Sequence, residues 1–279
     1  VVTMPDKPAG RGHHLQFSAV KQYALSVGLP VLQPERLKDE MFLEELRSYN
    51  ADLQIVVAFR MLPEAVWNMP RLGTFNLHAS LLPQYRGAAP INWAVMNGDV
   101  ETGVTTFMLQ HEIDTGNLIM QQRISIAEDE NVGSVHDRLM RLGATLVTRT
   151  VDAIITADFN GVDLQTTPQV DSAELKPAPK IFKDTCMIDF SWGANRIRNH
   201  VRGLSPYPGA WIAELPTSHP LADILKGAKV YKVEVANQSD IKGHIIIPCL
   251  DGYVDVIELQ LPGKKRMNAS ALLNGLKNK

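Results

Sequence analysis

Apolar residues along the first 160 positions follow two spacings, and each spacing predicts a different element. Where they recur every three or four residues they predict amphipathic helices, whereas short apolar runs predict strands. Leu53–Phe59 is almost entirely apolar, which is typical of a parallel strand covered on both faces. Predicted helices cover residues 18–28, 37–49, 63–67, 90–97 and 133–155, and predicted strands cover 31–32, 53–59, 74–78, 103–110 and 118–126. This alternation indicates the α/β class with a largely parallel sheet.

The pattern changes near residue 160. Pro-rich sequence at Thr166–Pro168 and Lys176–Pro179 predicts an extended linker. Beyond it, one helical stretch and several short β-rich runs predict a small, strand-dominated barrel. These stretches are 192–201 for the helix and 211–213, 228–235, 244–247 and 253–260 for the strands. The predicted parts of the chain are an N-terminal domain at 1–165, a linker at 166–180 and a C-terminal domain at 181–279.

Composition excludes a membrane span and weakly favours an anionic partner. No apolar run approaches the roughly 20 residues that cross a bilayer. The net charge is −2, but residues 1–180 carry −6 and residues 181–279 carry +4. A basic C-terminal part suits contact with a polyanion. The two cysteines, Cys186 and Cys249, lie far apart among apolar residues, which predicts buried free thiols in a reducing, cytoplasmic compartment and no zinc site.

The most specific chemistry lies around one predicted strand end. Asn76 and His78 are two residues apart, so in a strand their side chains share one face. An amide beside an imidazole suits a reaction that builds an oxyanion and moves a proton. Asp114, in the turn before Gly116, could bring a carboxylate to the same place. The alternative interpretations are a buried, hydrogen-bonded structural pair for Asn76 and His78, and a turn or cap for Asp114.

Two basic segments are candidates for contact with phosphates. Pro5–Gly12 carries Lys7 and Arg11 between prolines and glycines, and Gly263–Arg266 adds Lys264, Lys265 and Arg266 on a turn after a predicted strand. Cations on glycine-containing loops suit a nucleic-acid backbone. The alternative in both cases is a solvated surface loop.

Taken together, these motifs resemble the methionyl-tRNA formyltransferase family nearly from end to end. The matching segments are 5–12, 75–83, 86–90, 101–105, 114–116, 202–211 and 259–267. The Asn-x-His and Asp set alone is shared by the wider group of folate-dependent formyltransferases. The last two segments resemble the tRNA enzyme specifically.

The resemblance implies a Rossmann-like N-terminal catalytic domain, an OB-like C-terminal β-barrel that binds tRNA, and formyl transfer from 10-formyltetrahydrofolate to initiator methionyl-tRNA. The implied roles are catalysis for Asn76, His78 and Asp114, the folate pocket for Ser80, Leu81, Leu82 and Pro83, and tRNA contact for Lys7, Arg11, Lys264, Lys265 and Arg266. The implied enzyme needs no metal, and we expect a monomer. Initiator methionyl-tRNA and the folate co-substrate are its expected partners.

The sequence departs from the family in two places. The family begins with a strand and a helix before the position of Val1, so we expect that part of the sheet and pocket precedes this chain. Phe59–Pro63 replaces a Tyr-Gly type of sequence, which leaves the pterin contacts there open.

Two other functions remain open at this stage. A hydrolase or formyltransferase acting on a sugar nucleotide or another small amine would turn over without tRNA, and residues 181–279 would be dispensable to it. A tRNA-binding module without catalysis would not need Asn76, His78 and Asp114.

Overall fold

The computed structural model describes residues 1–9, 14–170, 174–239 and 241–277, with backbone only for 7–9 and 14–16. Its helices are α1 (Ala19–Ser26), α2 (Glu40–Ser48), α3 (Glu64–Trp67), α4 (Pro90–Met96), α5 (Val132–Phe159), α6 (Ala194–Leu204), α7 (Ala222–Leu225) and α8 (Ala269–Lys277), with a 3₁₀ helix at Asp184–Cys186. Its strands are β1 (Lys7–Ala9), β2 (His14–Gln16), β3 (Gln54–Val57), β4 (Thr74–His78), β5 (Glu101–Met108), β6 (Leu118–Ser125), β7 (Ala210–Trp211), β8 (Lys229–Ala236), β9 (Ile246–Cys249), β10 (Gly252–Gln260) and β11 (Met267–Asn268). Within those ranges no helix is both long and apolar enough to cross a membrane.

The N-terminal sheet is mixed, with the strand order β3-β4-β5-β6. β3 and β4 run parallel, whereas β5 is antiparallel to both β4 and β6. The predicted α/β class is confirmed, but the sheet is less parallel than the alternation of elements indicated. Between β5 and β6 the chain has only the segment 109–117, which is too short for the crossover that a parallel pair requires.

Strand β3 lies at the edge of this sheet. In the described part of the chain it pairs only with β4, and its side chains at Ile55 and Val57 are 45% and 54% exposed. In the described part of the chain, this face of β3 is therefore not covered at these residues. The apolar run indicated the strand correctly, but burial of its second face depends on what packs there.

Helix α5 closes the N-terminal core against the sheet. It begins beyond Asn131, whose side chain accepts a hydrogen bond from the Ser134 N–H, as an N-cap does. Its apolar stripe, with Val135, Leu139 and Leu146, is buried. The helix was predicted at 133–155 and extends to Phe159, where Asn160 and the left-handed Gly161 follow it.

The C-terminal part is an antiparallel five-stranded sheet with the order β11-β10-β8-β7. The fifth strand, β9, pairs with the same edge of β10 as β11 does, opposite β8. Helix α6 packs on it, and Ile197, Leu204, Ile247 and Leu259 are fully buried in the shared core. The strand-dominated C-terminal part is thus confirmed. β9 pairs with β10 and not with β8, so the consecutive strands β8 and β9 do not form a hairpin.

The predicted linker packs closely on the N-terminal domain. Thr167 exchanges backbone hydrogen bonds with Leu118 on β6. Ala178 is fully buried, donates its N–H to the Arg86 carbonyl at 2.9 Å, and accepts from the Ala88 N–H at 2.7 Å. The linker is irregular, as its prolines predict, but it forms part of the wall around the loop that follows β4.

Candidate active site

The catalytic residues predicted from the sequence converge in the N-terminal domain. His78 ends β4, and Asp114 lies in the turn after β5. Their side chains are 7% and 12% exposed, and Nδ1 of His78 lies 3.7 Å from Oδ2 of Asp114. Two separate segments thus bring an imidazole and a carboxylate together away from bulk water.

Asn76 shares the strand face of His78, as the spacing predicts. It pairs across the sheet with Phe107, and His78 pairs with Thr105. The Oδ1 atom of Asn76 is buried, and no group of the described residues donates to it. A buried amide oxygen normally has a partner, so a side chain left in this state is one that a bound substrate can satisfy.

The orientation of the His78 ring follows from its second nitrogen. Nε2 lies 2.8 Å from the backbone carbonyl of Tyr85. A carbonyl can only accept, so this contact holds a proton on Nε2 and leaves Nδ1 facing Asp114. Nδ1 is therefore the ring nitrogen that faces the carboxylate.

The Asp114 turn has a backbone that few sequences tolerate. Asp114 has φ +56°, in the left-handed region where a residue with a Cβ is strained by roughly 1–2 kcal/mol. Gly116 follows within reach of β5, and a Cβ there would overlap the Met108 carbonyl. The short polar side chain at 114 and the glycine at 116 allow the chain to turn tightly and present the carboxylate to His78.

Gly87 supplies the second contact to the carboxylate. Its N–H donates to Oδ2 of Asp114 at 3.0 Å. Its φ is +125°, and a Cβ built on it would lie 2.5 Å from the Ala178 carbonyl oxygen. The loop after β4 therefore requires glycine here, both for its backbone conformation and for the close approach of the linker.

Two side chains from neighbouring strands hydrogen-bond to the backbone of the Ser80–Pro83 turn. Thr105, fully buried on β5, donates its hydroxyl to the Ser80 carbonyl at 2.6 Å and accepts from the Leu82 N–H. Gln121 donates to the Leu82 carbonyl at 2.7 Å. The Ser80 hydroxyl is used inside the turn, on the Gln84 carbonyl. What the turn presents outward is the half-buried apolar surface of Leu81 and Pro83.

A polar network anchors the far side of the same loop. The Tyr85 hydroxyl donates to Asp99 at 2.7 Å, and Lys176 of the linker donates to the other oxygen of that carboxylate. Burial, reinforced by the Asp99 carboxylate, raises the pKa of Tyr85 above its usual value. Tyr85 thus stays neutral and keeps donating, which fixes the backbone carbonyl that holds His78.

The predicted tRNA contacts are only partly described. Arg11 lies outside the described residues, and Lys7 begins β1, where only the backbone is described. Lys264 and Lys265 are exposed on the turn after β10. Arg266 is engaged already, since its guanidinium pairs with Glu258 and stacks 4.2 Å above the Tyr231 ring.

Among the residues that the structure describes, no three His, Cys, Asp or Glu side chains are grouped so that they could hold a metal ion. Both cysteines are free, with Cys186 buried and Cys249 half-buried.

Sequence reasoning missed several supporting residues. Thr105 and Gln121 interrupt apolar strands with polar groups, a signal that could have identified them. Gln169 lies in the predicted linker and contacts the Asp114 turn, and no local pattern around it indicates that role.

Comparison with known proteins finds relatives over nearly the whole chain. A family model described as formyl transferase matches residues 1–151, and one described as formyl transferase, C-terminal domain, matches residues 180–277. The chain is 59% identical to a methionyl-tRNA formyltransferase of Parabacteroides distasonis and 57% identical to one of Bacteroides thetaiotaomicron, covering 99% of this chain and 87% of each relative. The crystal structure of HypX from Aquifex aeolicus in complex with tetrahydrofolic acid has a similar fold, with a TM-score of 0.64, 18% identity, and 92% of this chain against 45% of that one.

Proposed function

The chain belongs to the formyl transferase family, and from this premise we propose that it transfers the formyl group of 10-formyltetrahydrofolate to the α-amino group of methionyl initiator tRNA, for translation initiation. Its relatives over nearly the whole chain carry the name methionyl-tRNA formyltransferase. The proposed residue roles below rest on the geometry of the site.

The reaction needs an oxyanion partner and a route for one proton. The amine nitrogen attacks the formyl carbon, and a tetrahedral centre with a negative oxygen forms. The bond from that carbon to N10 of the folate then breaks. The amine loses one proton and N10 gains one, so no net proton is released by the transfer step.

We assign stabilisation of the oxyanion to Asn76. Its amide lies on the same strand face as His78. Turned toward the substrate, the amide N–H would donate to the developing oxyanion. One such donor contributes about 2.7–4 kcal/mol to transition-state stabilisation in comparable sites.

The proton passes through the pair formed by Asp114 and His78. Asp114 is the base that takes the proton from the amine, and Nδ1 of His78, 3.7 Å from its carboxylate, shares that proton before N10 receives it. Nε2 cannot take this part because the Tyr85 carbonyl occupies it. The observation that carries the proposal is this approach of an imidazole and a carboxylate from two separate segments, beside an amide without a partner.

The folate occupies the side of the site bounded by Ser80, Leu81, Leu82 and Pro83. The turn is rigid because Thr105 and Gln121 satisfy its backbone groups. Leu81 and Pro83 offer apolar surface, which suits a planar ring system. The folate co-substrate supplies the formyl group, and the protein supplies the orientation and the electrostatics.

The tRNA is bound by basic residues at both ends of the chain. Lys7 and Arg11 serve the acceptor end, and Lys264, Lys265 and Arg266 serve the C-terminal domain, whose charge of +4 favours a polyanion. Because Glu258 already holds Arg266, we expect Lys264 and Lys265 to provide most of that contact. We further propose that the protein acts as a monomer in the cytoplasm, where its tRNA partner is, and away from membranes.

The direct test is transfer of radiolabelled formyl from 10-formyltetrahydrofolate to methionyl initiator tRNA by the purified protein. Free methionine, an amino sugar nucleotide and water are offered in parallel reactions. Labelled formylmethionyl-tRNA alone supports the proposal. Turnover on a small amine or on water without tRNA would identify another formyl-folate enzyme, and tRNA binding without any transfer would identify a module that only binds.

A further inference from the structure

Gln169 lies in the predicted linker, yet its side chain faces the active site. Two residues earlier, Thr167 pairs with Leu118 on β6, which holds this part of the linker beside the end of β5. The Gln169 side chain is half-buried and reaches the Asp114 turn.

The amide of Gln169 uses all of its hydrogen-bonding groups. Nε2 donates to the backbone carbonyls of Asp114 and Gly116, each at 2.8 Å. Oε1 accepts from Nε and Nη2 of Arg86, at 3.1 and 2.8 Å. One side chain thus joins the turn that carries the carboxylate to the loop that carries Gly87.

The two hydrogen bonds from Nε2 of Gln169 reach a turn whose backbone conformation is unfavourable. Asp114 is left-handed, and the carbonyls that Gln169 binds belong to the peptide planes that follow Asp114 and Gly116. Holding the plane directly after Asp114 and the end of the turn at Gly116 restricts the direction in which the Asp114 side chain leaves the backbone. The carboxylate has two contacts of its own, to Gly87 and His78, and both require that direction.

We propose that Gln169 is a positioning residue for formyl transfer, which holds the Asp114 turn so that the carboxylate stays against Nδ1 of His78. Its contact with Arg86 keeps the loop after β4 in register with that turn. The reaction named here rests on the proposed function, whereas the structural action on the turn does not.

Two substitutions separate the donors of Gln169 from its acceptor. Gln169→Met keeps the length of the side chain and removes every hydrogen bond. Gln169→Glu keeps an acceptor for Arg86 but removes the donors and places a negative charge near Asp114. We expect kcat to fall about 10- to 100-fold in both variants, as displacement of a catalytic group by about 1 Å does, with KM for folate and tRNA unchanged. Gln22→Met is the matched control, because its amide donates to the Phe17 carbonyl and not to the Asp114 turn, and its kcat should equal that of the unchanged protein.

A double-mutant cycle tests whether Gln169 acts through Asp114. In the Asp114→Asn background, Gln169→Met should cause little further loss, because the carboxylate it positions is gone. Full additivity of the two losses would overturn the proposal, and so would a Gln169→Glu variant that keeps full kcat.

Hydrogen exchange provides a readout that does not need activity. In Gln169→Met, amides at 112–117 should exchange faster than in the unchanged protein, while those of β8 and β10 keep their protection. Unchanged exchange at 112–117 would overturn the positioning role even if kcat fell. If the unchanged protein transfers no formyl to methionyl-tRNA, the proposed function fails, and the exchange data still decide whether Gln169 holds the turn.

Discussion

The N-terminal and C-terminal parts of this molecule differ in where the backbone is strained. In the described chain, the four non-glycine residues with left-handed backbone are Asn50, Ala58, Tyr85 and Asp114, all N-terminal. Two of them belong to the candidate active site. None of these residues lies in the C-terminal part, where charged groups such as Arg266 and Glu258 pair with each other.

This difference indicates how work is divided between the two parts. Strained backbone persists only where the surrounding structure holds it, and it concentrates where chemistry occurs. Substitutions in the N-terminal site should therefore change kcat. Substitutions in the C-terminal part should change stability or KM for tRNA and leave kcat alone.

The largest effect is expected from Asp114→Asn. The amide keeps the size of the side chain but cannot accept the proton of the amine, so kcat should fall about 10²- to 10⁴-fold, the usual contribution of a general base. Single-turnover formylation and a tRNA-binding assay measure the two effects separately. Glu112→Gln, an exposed change two residues away, is the control. Near-normal turnover in Asp114→Asn would remove the base from the mechanism.

Gly87→Ala should follow, with kcat lowered about 100-fold. Its Cβ would push against the Ala178 carbonyl and draw the Gly87 N–H away from Asp114. Gly161→Ala is a matched control, since Gly161 is also left-handed, at φ +63°, but has open space around the position of its Cβ. If both variants lose kcat equally, backbone strain is the cause and the contact with Ala178 is irrelevant.

Substitutions in the turn after β10 should change KM for tRNA and not kcat. Lys264→Ala with Lys265→Ala should leave kcat unchanged and lower the slope of log KM for tRNA against log salt by about 2, roughly one for each lost phosphate contact. Arg266→Ala should leave that slope nearly unchanged, because its guanidinium is already held by Glu258. A larger slope change in Arg266→Ala than in the lysine pair would reverse this assignment.

The smallest effect concerns the buried His200 of α6. Burial lowers the pKa of this imidazole below its usual 6.5, so the unfolded chain takes up the proton first as pH falls. The free energy of unfolding should therefore decrease below about pH 6.5, by at most about 1.4 kcal/mol per pH unit for one proton. His200→Phe should flatten that decline in urea titrations at pH 7, 6 and 5. The exposed His136→Asn is the control, and equal slopes in all three proteins would contradict the prediction.

Much of the candidate site was predictable because its signals are local. The spacing of Asn76 and His78 placed both side chains on one strand face, and the Asp-Thr-Gly sequence at 114–116 indicated a tight turn. The supporting residues were not predictable in this way. Gln169 acts on groups more than 50 positions away in the chain, and nothing in its own neighbourhood marks it.

The sequence by itself determined the α/β class, the change to short strands after the linker, and the three residues proposed for catalysis, since periodicity and turn chemistry depend on neighbouring residues. Only the tertiary structure decided the antiparallel return of β5, the approach of Nδ1 of His78 to Asp114, and the packing of the linker against Gly87 and the Asp114 turn. These features depend on distances between segments remote in sequence, and such distances are set by how helices, strands and loops pack.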